Sequence, residues 1–314
     1  MKNFSKKLLI SLLILFLLLT ILGLFNSQSI YNGSLSFSEQ WQGSFMTIND
    51  EKIRFIQKGE GKNVLLIHGT PGTIEDWQTI IDQLSKDFKV TAYDRYGNGF
   101  SSANNYNYTL DENVALANSV ITKLNLDSVV VVGHSYGGST TTQLAMGENP
   151  KIKSFIAVAA PLYSFDLEFN YIAISAPVIG KGIATIAANT IAGALVKDGL
   201  AITFGTNGHL LTDAFVQTRK DLWSQSKVLY TTSNERKNYE QALNNNAPKY
   251  KNITNKITFL VGEHDDPNIV RDFYQMKKDL PTAEFVYLDN TAHFIQFEAT
   301  DKLLDVILAH LEKQ

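Results

Sequence analysis

The stretch "VVVVGHSYGGST", Val129–Thr140, decides how the rest of the chain is read. An unbroken run of valines is the pattern of a strand buried on both faces. It ends in Gly-His-Ser-Tyr-Gly, and a stretch of small residues follows. A serine at such a corner is either an ordinary turn residue or a side chain held out for attack. The Gly-x-Ser-x-Gly spacing favours attack. A sharp strand-to-helix turn strains the serine backbone and exposes its oxygen, while Gly133 and Gly137 let strand and helix approach each other. The following helix aims its free amides at the same point, so that the Tyr136 amide would hold a developing oxyanion.

Outward from this corner, strand and helix patterns alternate. Strands are predicted at 43–48 and 52–57 (a hairpin around Asn49-Asp50), 63–67, 89–93, 128–132, 154–159, 257–261 and 284–288. Helical spacing of apolar residues predicts helices at 74–88, 111–124, 136–146, 269–280 and 301–311. The alternation implies an α/β fold with a mostly parallel central sheet flanked by helices. It breaks between about Pro161 and Pro248. There the segment "YIAISAPVIGKGIATIAANTIAGALV" is apolar, but Pro177, Gly180, Lys181, Gly182 and Asn189 interrupt it. An inserted helical cap over the sheet explains it better than a membrane helix.

Composition narrows the function. With 44% hydrophobic and 19% charged residues the chain is a packed protein, and a net charge of −3 gives no reason to expect nucleic acid. The absence of cysteine removes disulfides, thiolate metal sites and a cysteine nucleophile. Zinc motifs of the His-Glu-x-x-His kind are missing, so neither metal nor cofactor is expected. Lys2, Lys6 and Lys7 precede Leu8–Phe25, eighteen residues whose only polar members are Ser11 and Thr20. That length approaches a bilayer crossing, and the lysines favour a cytoplasmic N-terminus with the remainder exported. Residues 1–26 are therefore read as a signal anchor. A cleaved signal peptide with a site near Ser27-Gln28-Ser29 is the alternative, which would give a secreted protein. Residues 27–42 read as a tether, 43–160 and 249–314 as the catalytic core, and 161–248 as the cap.

In an open parallel sheet, ligands bind beyond the C-terminal ends of the strands. Four loops there carry chemistry: "HGTPG", "GHSYGG", "GEHDDP" and "NTAHF". A serine needs a base, and the base an orienting acid. His293 and Asp265 each follow a predicted strand. Asp266 is adjacent, and only one of the two aspartates can face the histidine; Asp265 is preferred for its distance from the strand end.

Together "LLIHGTPG", "AYDRYGNGFS", "VVGHSYGG", "LVGEHD" and "AHF" resemble the α/β-hydrolase superfamily over about Phe45 to Leu311. Their joint order is more specific than any one motif, and Ser135, Asp265 and His293 follow the family's chain order of serine, acid, histidine. The resemblance implies that the Thr70 amide is the second oxyanion donor, since Pro71 has no N–H to give. It also implies structural roles for Asp94 and His68. Dehalogenases and epoxide hydrolases of the superfamily carry aspartate at the elbow, whereas here it is Ser135. The expected function is hydrolysis of a carboxylic ester with an apolar part, as in carboxylesterases and lipases. The alternatives are peptide or amide, thioester or C–C bond hydrolysis on the same triad, haloperoxidase-like chemistry, or a non-catalytic binding protein. The expected partner is a small-molecule ester. For a peptidase, Asp166 and Glu168 are the only close carboxylate pair early in the cap.

Overall fold

The computed structural model describes residues 2–25, 37–38, 41–104, 108–164, 169–177 and 179–312. The Ser27–Ser29 site, most of the expected tether and the Asp166/Glu168 pair lie outside them. Eight strands form one sheet: β1 (Ser44–Ile48), β2 (Glu51–Lys58), β3 (Asn63–Ile67), β4 (Lys89–Tyr93), β5 (Val129–His134), β6 (Ile152–Val158), β7 (Ile257–Gly262) and β8 (Glu284–Leu288). Their order is β1-β2-β4-β3-β5-β6-β7-β8. The β1–β2 and β2–β4 pairs are antiparallel and every other pair is parallel. The hairpin turns on Asn49 and Asp50, both at positive φ (50° and 62°), which matches the twist of the strands it joins.

Helices cover both faces. On the first face Val129 and Val131 of β5 pack in one core with Leu116 and Val120 of α3 (Leu110–Lys123) and Phe273 of α10 (Pro267–Asp279). On the second, Val130 and Val132 pack with Ile80 of α2 (Gln78–Leu84) and Leu303 of α12 (Thr300–Glu312). An unbroken valine run is what a strand with no solvent face requires. The helix predicted at 74–88 is shorter than its pattern. A 3-10 turn, Ile74–Trp77, opens where the Asp76 carboxylate accepts from the Thr73 amide at 2.9 Å, and α2 ends at Leu84.

Between β6 and β7 lie α5 (Phe169–Ile174), α6 (Ile179–Thr190), α7 (Ala192–Phe204), α8 (Asp213–Trp223) and α9 (Ser226–Asn246). Ahead of the sheet, α1 (Lys2–Phe25) rests on α6, where the Leu19 backbone fills the space beside Gly182. The remaining helices are α4 (Tyr136–Ala145), which follows β5, and the unpredicted one-turn α11 (Ile295–Glu298).

Among the described residues no single helix is long and apolar enough to cross a membrane. The described side chains of α1 run from Lys6 to Ile21 and are mostly exposed. The α6–α7 pair passes by length and composition only as a span bent by 78°.

Candidate active site

Ser135 sits where β5 turns into α4, at φ 54° and ψ −119°. That left-handed conformation is costly for a residue with a Cβ and persists only where its surroundings enforce it. Here the surroundings are crowded backbone. A Cβ on Gly133 would collide with the Gly137 carbonyl, one on Gly137 with the Ile67 carbonyl, and one on Gly138 would lie 2.7 Å from Ala160 Cβ. The glycines thus admit the close crossing of strand and helix that the sequence predicts, and Ser135 is left 8% exposed.

His293 and Asp265 come from the loops after β8 and β7. His293 Nδ1 lies 2.8 Å from Asp265 Oδ1. Asp266 turns away and caps α10, accepting from the Asn268 amide at 2.7 Å. Asp265 is therefore the aspartate that faces the histidine. Burial disfavours a charged His293 ring, but the Asp265 carboxylate outweighs it and holds the imidazole pKa above its ordinary value; Arg236 opposes and Glu298 assists. Among the described residues the Ser135 hydroxyl has no hydrogen-bond partner, although Ser135 and His293 line the same cavities. Such contacts tighten when substrate binds.

The His293 loop is clamped from two directions. His134 Nε2 lies 2.9 Å from the His293 carbonyl, and the Glu298 carboxylate accepts from the Ala292 and Phe294 amides at 2.8 Å each. Burial lowers the His134 pKa well below the ordinary value, so the neutral ring donates this bond. Glu298 belongs to the unpredicted α11, which explains why the sequence did not reveal it.

The Thr70 loop meets the first turn of α4 beside the serine, with Gly69 against the Ser135 side chain. The amide of Tyr136 heads that turn and has no intrahelical acceptor. The loop is held by a buried ion pair that the sequence also hid. Glu235 of α9 pairs with Arg95 Nη1 and accepts from the Thr70 hydroxyl, and Asn113 Nδ2 reaches it at 3.3 Å. Arg95 in turn donates to the Gly69 carbonyl at 2.8 Å. His68 and Asp94 have the expected structural roles. His68 accepts from the Arg95 amide, and Asp94 accepts from the Ile74 and Phe100 amides.

Two cavities meet at Ser135 and His293. One, about 690 Å³, runs along the Asp265 loop and the start of α10; the other, about 530 Å³, lies under α6 and α7 and includes the Thr70 loop. Arg236 lines both. Among the described residues no group of three His, Cys, Asp or Glu side chains is gathered for a metal ion.

A family model described as alpha/beta hydrolase fold matches residues 62–300. A non-heme haloperoxidase of Rhodococcus erythropolis is 29% identical over 130 residues, 40% of this chain and 47% of the relative. A 2-hydroxy-6-oxo-2,4-heptadienoate hydrolase of Pseudomonas putida is 31% identical over 113 residues, 35% and 41% of the two chains. The chain thus spans under half the length of these curated relatives. In structure it is similar to the enol-lactonase of Burkholderia xenovorans, with a TM-score of 0.71, 19% identity, and coverage of 86% of this chain and 100% of the other. An epoxide hydrolase of Vigna radiata gives 0.71 at 22% identity, covering 87% and 98%. At these identities the structural likeness shows the fold.

Proposed function

We propose, from the premise that the chain belongs to the α/β-hydrolase fold family, that it is a serine hydrolase cleaving a carboxylic ester through an acyl-enzyme. The observation that carries this reading is the strained Ser135 corner opening on the same cavities as a His293 ring held at 2.8 Å by Asp265. His293 takes the Ser135 proton as the serine oxygen bonds to the carbonyl carbon. The Thr70 and Tyr136 amides receive the oxyanion. As the carbon–oxygen bond to the alcohol breaks, His293 returns the proton to the leaving oxygen. Water, deprotonated by His293, then attacks the acyl-enzyme and releases the acid and Ser135. Asp265 holds the ring tautomer throughout. The helices between β6 and β7 serve as the cap, and the apolar chamber beneath them accounts for the expected apolar part of the ester.

The test is turnover of p-nitrophenyl acetate and longer esters by the full chain beside Ser135→Ala. Turnover lost in the variant supports the reading; equal turnover by both sinks it. A second reading is cleavage of a C–C bond in a 2-hydroxy-6-oxo-dienoate, the substrate type named for the Pseudomonas putida relative. Arg236 beside His293 favours it, because such a substrate carries a carboxylate. Loss of the dienoate's absorbance on mixing with the full chain is its check.

For placement, we infer attachment of the N-terminal segment to a membrane, with the catalytic part on the extracytoplasmic side. The exposed leucines of α1 and the lysines before them support this. Full chain recovered in the soluble fraction of a membrane preparation would oppose it.

A further inference from the structure

The two cavities at Ser135 differ in chemistry, and the difference names a substrate class. This inference rests on the ester-hydrolase reading above. Under α6 and α7 the chamber walls are mainly apolar, with Ile183, Ala187, Leu195, Val196, Trp223 and Phe294 among them, and Arg236 and Asp76 as their charged members. Along the Asp265 loop the walls are polar: Ser164, His264, Asp266, Asn268, Arg271 and Asp272. Both volumes fall in the range of small-molecule sites, roughly 300–1,000 Å³. The reacting carbonyl must sit at the junction, where Ser135 and His293 belong to both walls.

The oxyanion loop gives the direction. Gly69, Thr70 and Pro71 line the apolar chamber and are not part of the polar one. With its oxygen held by Thr70 and Tyr136, a carbonyl lies on that side, and its acyl chain continues under α6 and α7. The leaving oxygen must face His293 to take the proton, and the space beyond His293, clear of the Thr70 loop, is the polar chamber. Its charges are of both signs. Arg271 is already paired with Asp272 at 2.7 Å, Asp266 stands nearby, and Arg236 borders both chambers. Such a wall matches a neutral, hydrogen-bonding alcohol better than one of single charge.

We infer that the substrate is an amphiphilic ester, with an apolar acyl chain in the chamber under α6 and α7 and a polyol as leaving group beside the Asp265 loop.

A reversed pair of esters tests this. Glyceryl monodecanoate puts the chain on the acyl side; decyl glycerate puts it on the alcohol side. The full chain is expected to show kcat/KM at least tenfold higher for the first, although the α-hydroxyl of glycerate activates the second. Ala187→Trp, which fills the apolar chamber, is expected to lower kcat/KM for glyceryl monodecanoate at least tenfold more than for glyceryl monoacetate. Asn268→Leu is expected to shrink the preference for glyceryl over methyl decanoate. Equal rates for the reversed pair, or a preference for decyl glycerate, overturn the inference while leaving ester hydrolysis intact, provided p-nitrophenyl acetate still turns over. No turnover of any ester, p-nitrophenyl acetate included, overturns the parent reading and this one with it.

Discussion

A Cβ added to Gly133 or Gly137 runs into backbone; one added to Gly193, Gly199, Gly205 or Gly208 meets nothing within 4 Å. The first two flank Ser135, Gly133 at the C-terminal end of the central strand β5 and Gly137 in the first turn of α4. The others belong to α7 and the turn after it. The same contrast appears in the large side chains. Val129 to Val132 are fully buried, whereas Ile202 of α7 is 82% exposed. Close backbone packing holds the Ser135 corner in place, as the proposed nucleophile and oxyanion donors require. Above it, α7 presents an open outer face, and together α6 and α7 line the apolar chamber. Chemistry is thus assigned to the rigid region and selectivity to the open one, and substitutions should separate accordingly.

The largest expected effect is Ser135→Ala, which removes at least about a thousandfold of kcat for every ester, whatever its chain length, while the thermal midpoint barely moves. A variant that lost only long-chain esters would break the division between the regions. Glu235→Ala comes next. It leaves the buried Arg95 guanidinium without its carboxylate and the Thr70 hydroxyl without its acceptor. The expected cost is about 3–5 kcal/mol in denaturant unfolding, with a fall in kcat for short and long esters alike. Glu235 sits on α9, above the sheet, so this variant sharpens the comparison. One cap residue belongs functionally to the rigid region.

Two glycine substitutions probe the contrast directly. Gly137→Ala is expected to destabilise the protein by about 3 kcal/mol, because its Cβ must displace the β3 backbone. Gly199→Ala, in the middle of α7 with open space around it, is expected to stabilise by roughly 0.5–1 kcal/mol. Chemical denaturation of both variants reads the two signs. Costs of similar size would mean that α7 is as closely packed as β5.

The pH dependence is the mildest test. His293 must be neutral to take the serine proton. Asp265 raises its pKa above that of an ordinary imidazole, against burial and Arg236, and the neutral His134 does not oppose it. kcat/KM is therefore expected to fall as pH drops through an inflection above about 6.5. Arg236→Gln removes an opposing charge and is expected to move that inflection upward. No movement would mean that Arg236 does not reach the ring's field.

The sheet was legible because its chemistry is written in neighbouring residues. The valine run, the elbow glycines and the Asn49-Asp50 turn each act within a few positions of one another, and all eight strands appear close to where their patterns lie. Ser135, His293 and Asp265 were legible as loop residues after strands. The choice between Asp265 and Asp266 was open, because adjacent side chains in a loop carry no periodicity. In the structure Asp265 faces His293 and Asp266 spends its carboxylate on the α10 cap. Glu235 and Glu298 were hidden for another reason. In "TTSNERKNYE", Glu235 has the pattern of a solvated helix face, and its partners Thr70 and Arg95 lie 165 and 140 positions away. Only the fold brings them together.

The most direct measurement of the central claim is covalent labelling of the full chain with a fluorophosphonate, read by intact mass and then by peptide mapping. The account predicts one adduct per chain, on Ser135, formed faster as pH rises through the His293 inflection and absent from Ser135→Ala. An adduct on another residue, or an unlabelled folded protein that still turns over esters, would contradict it.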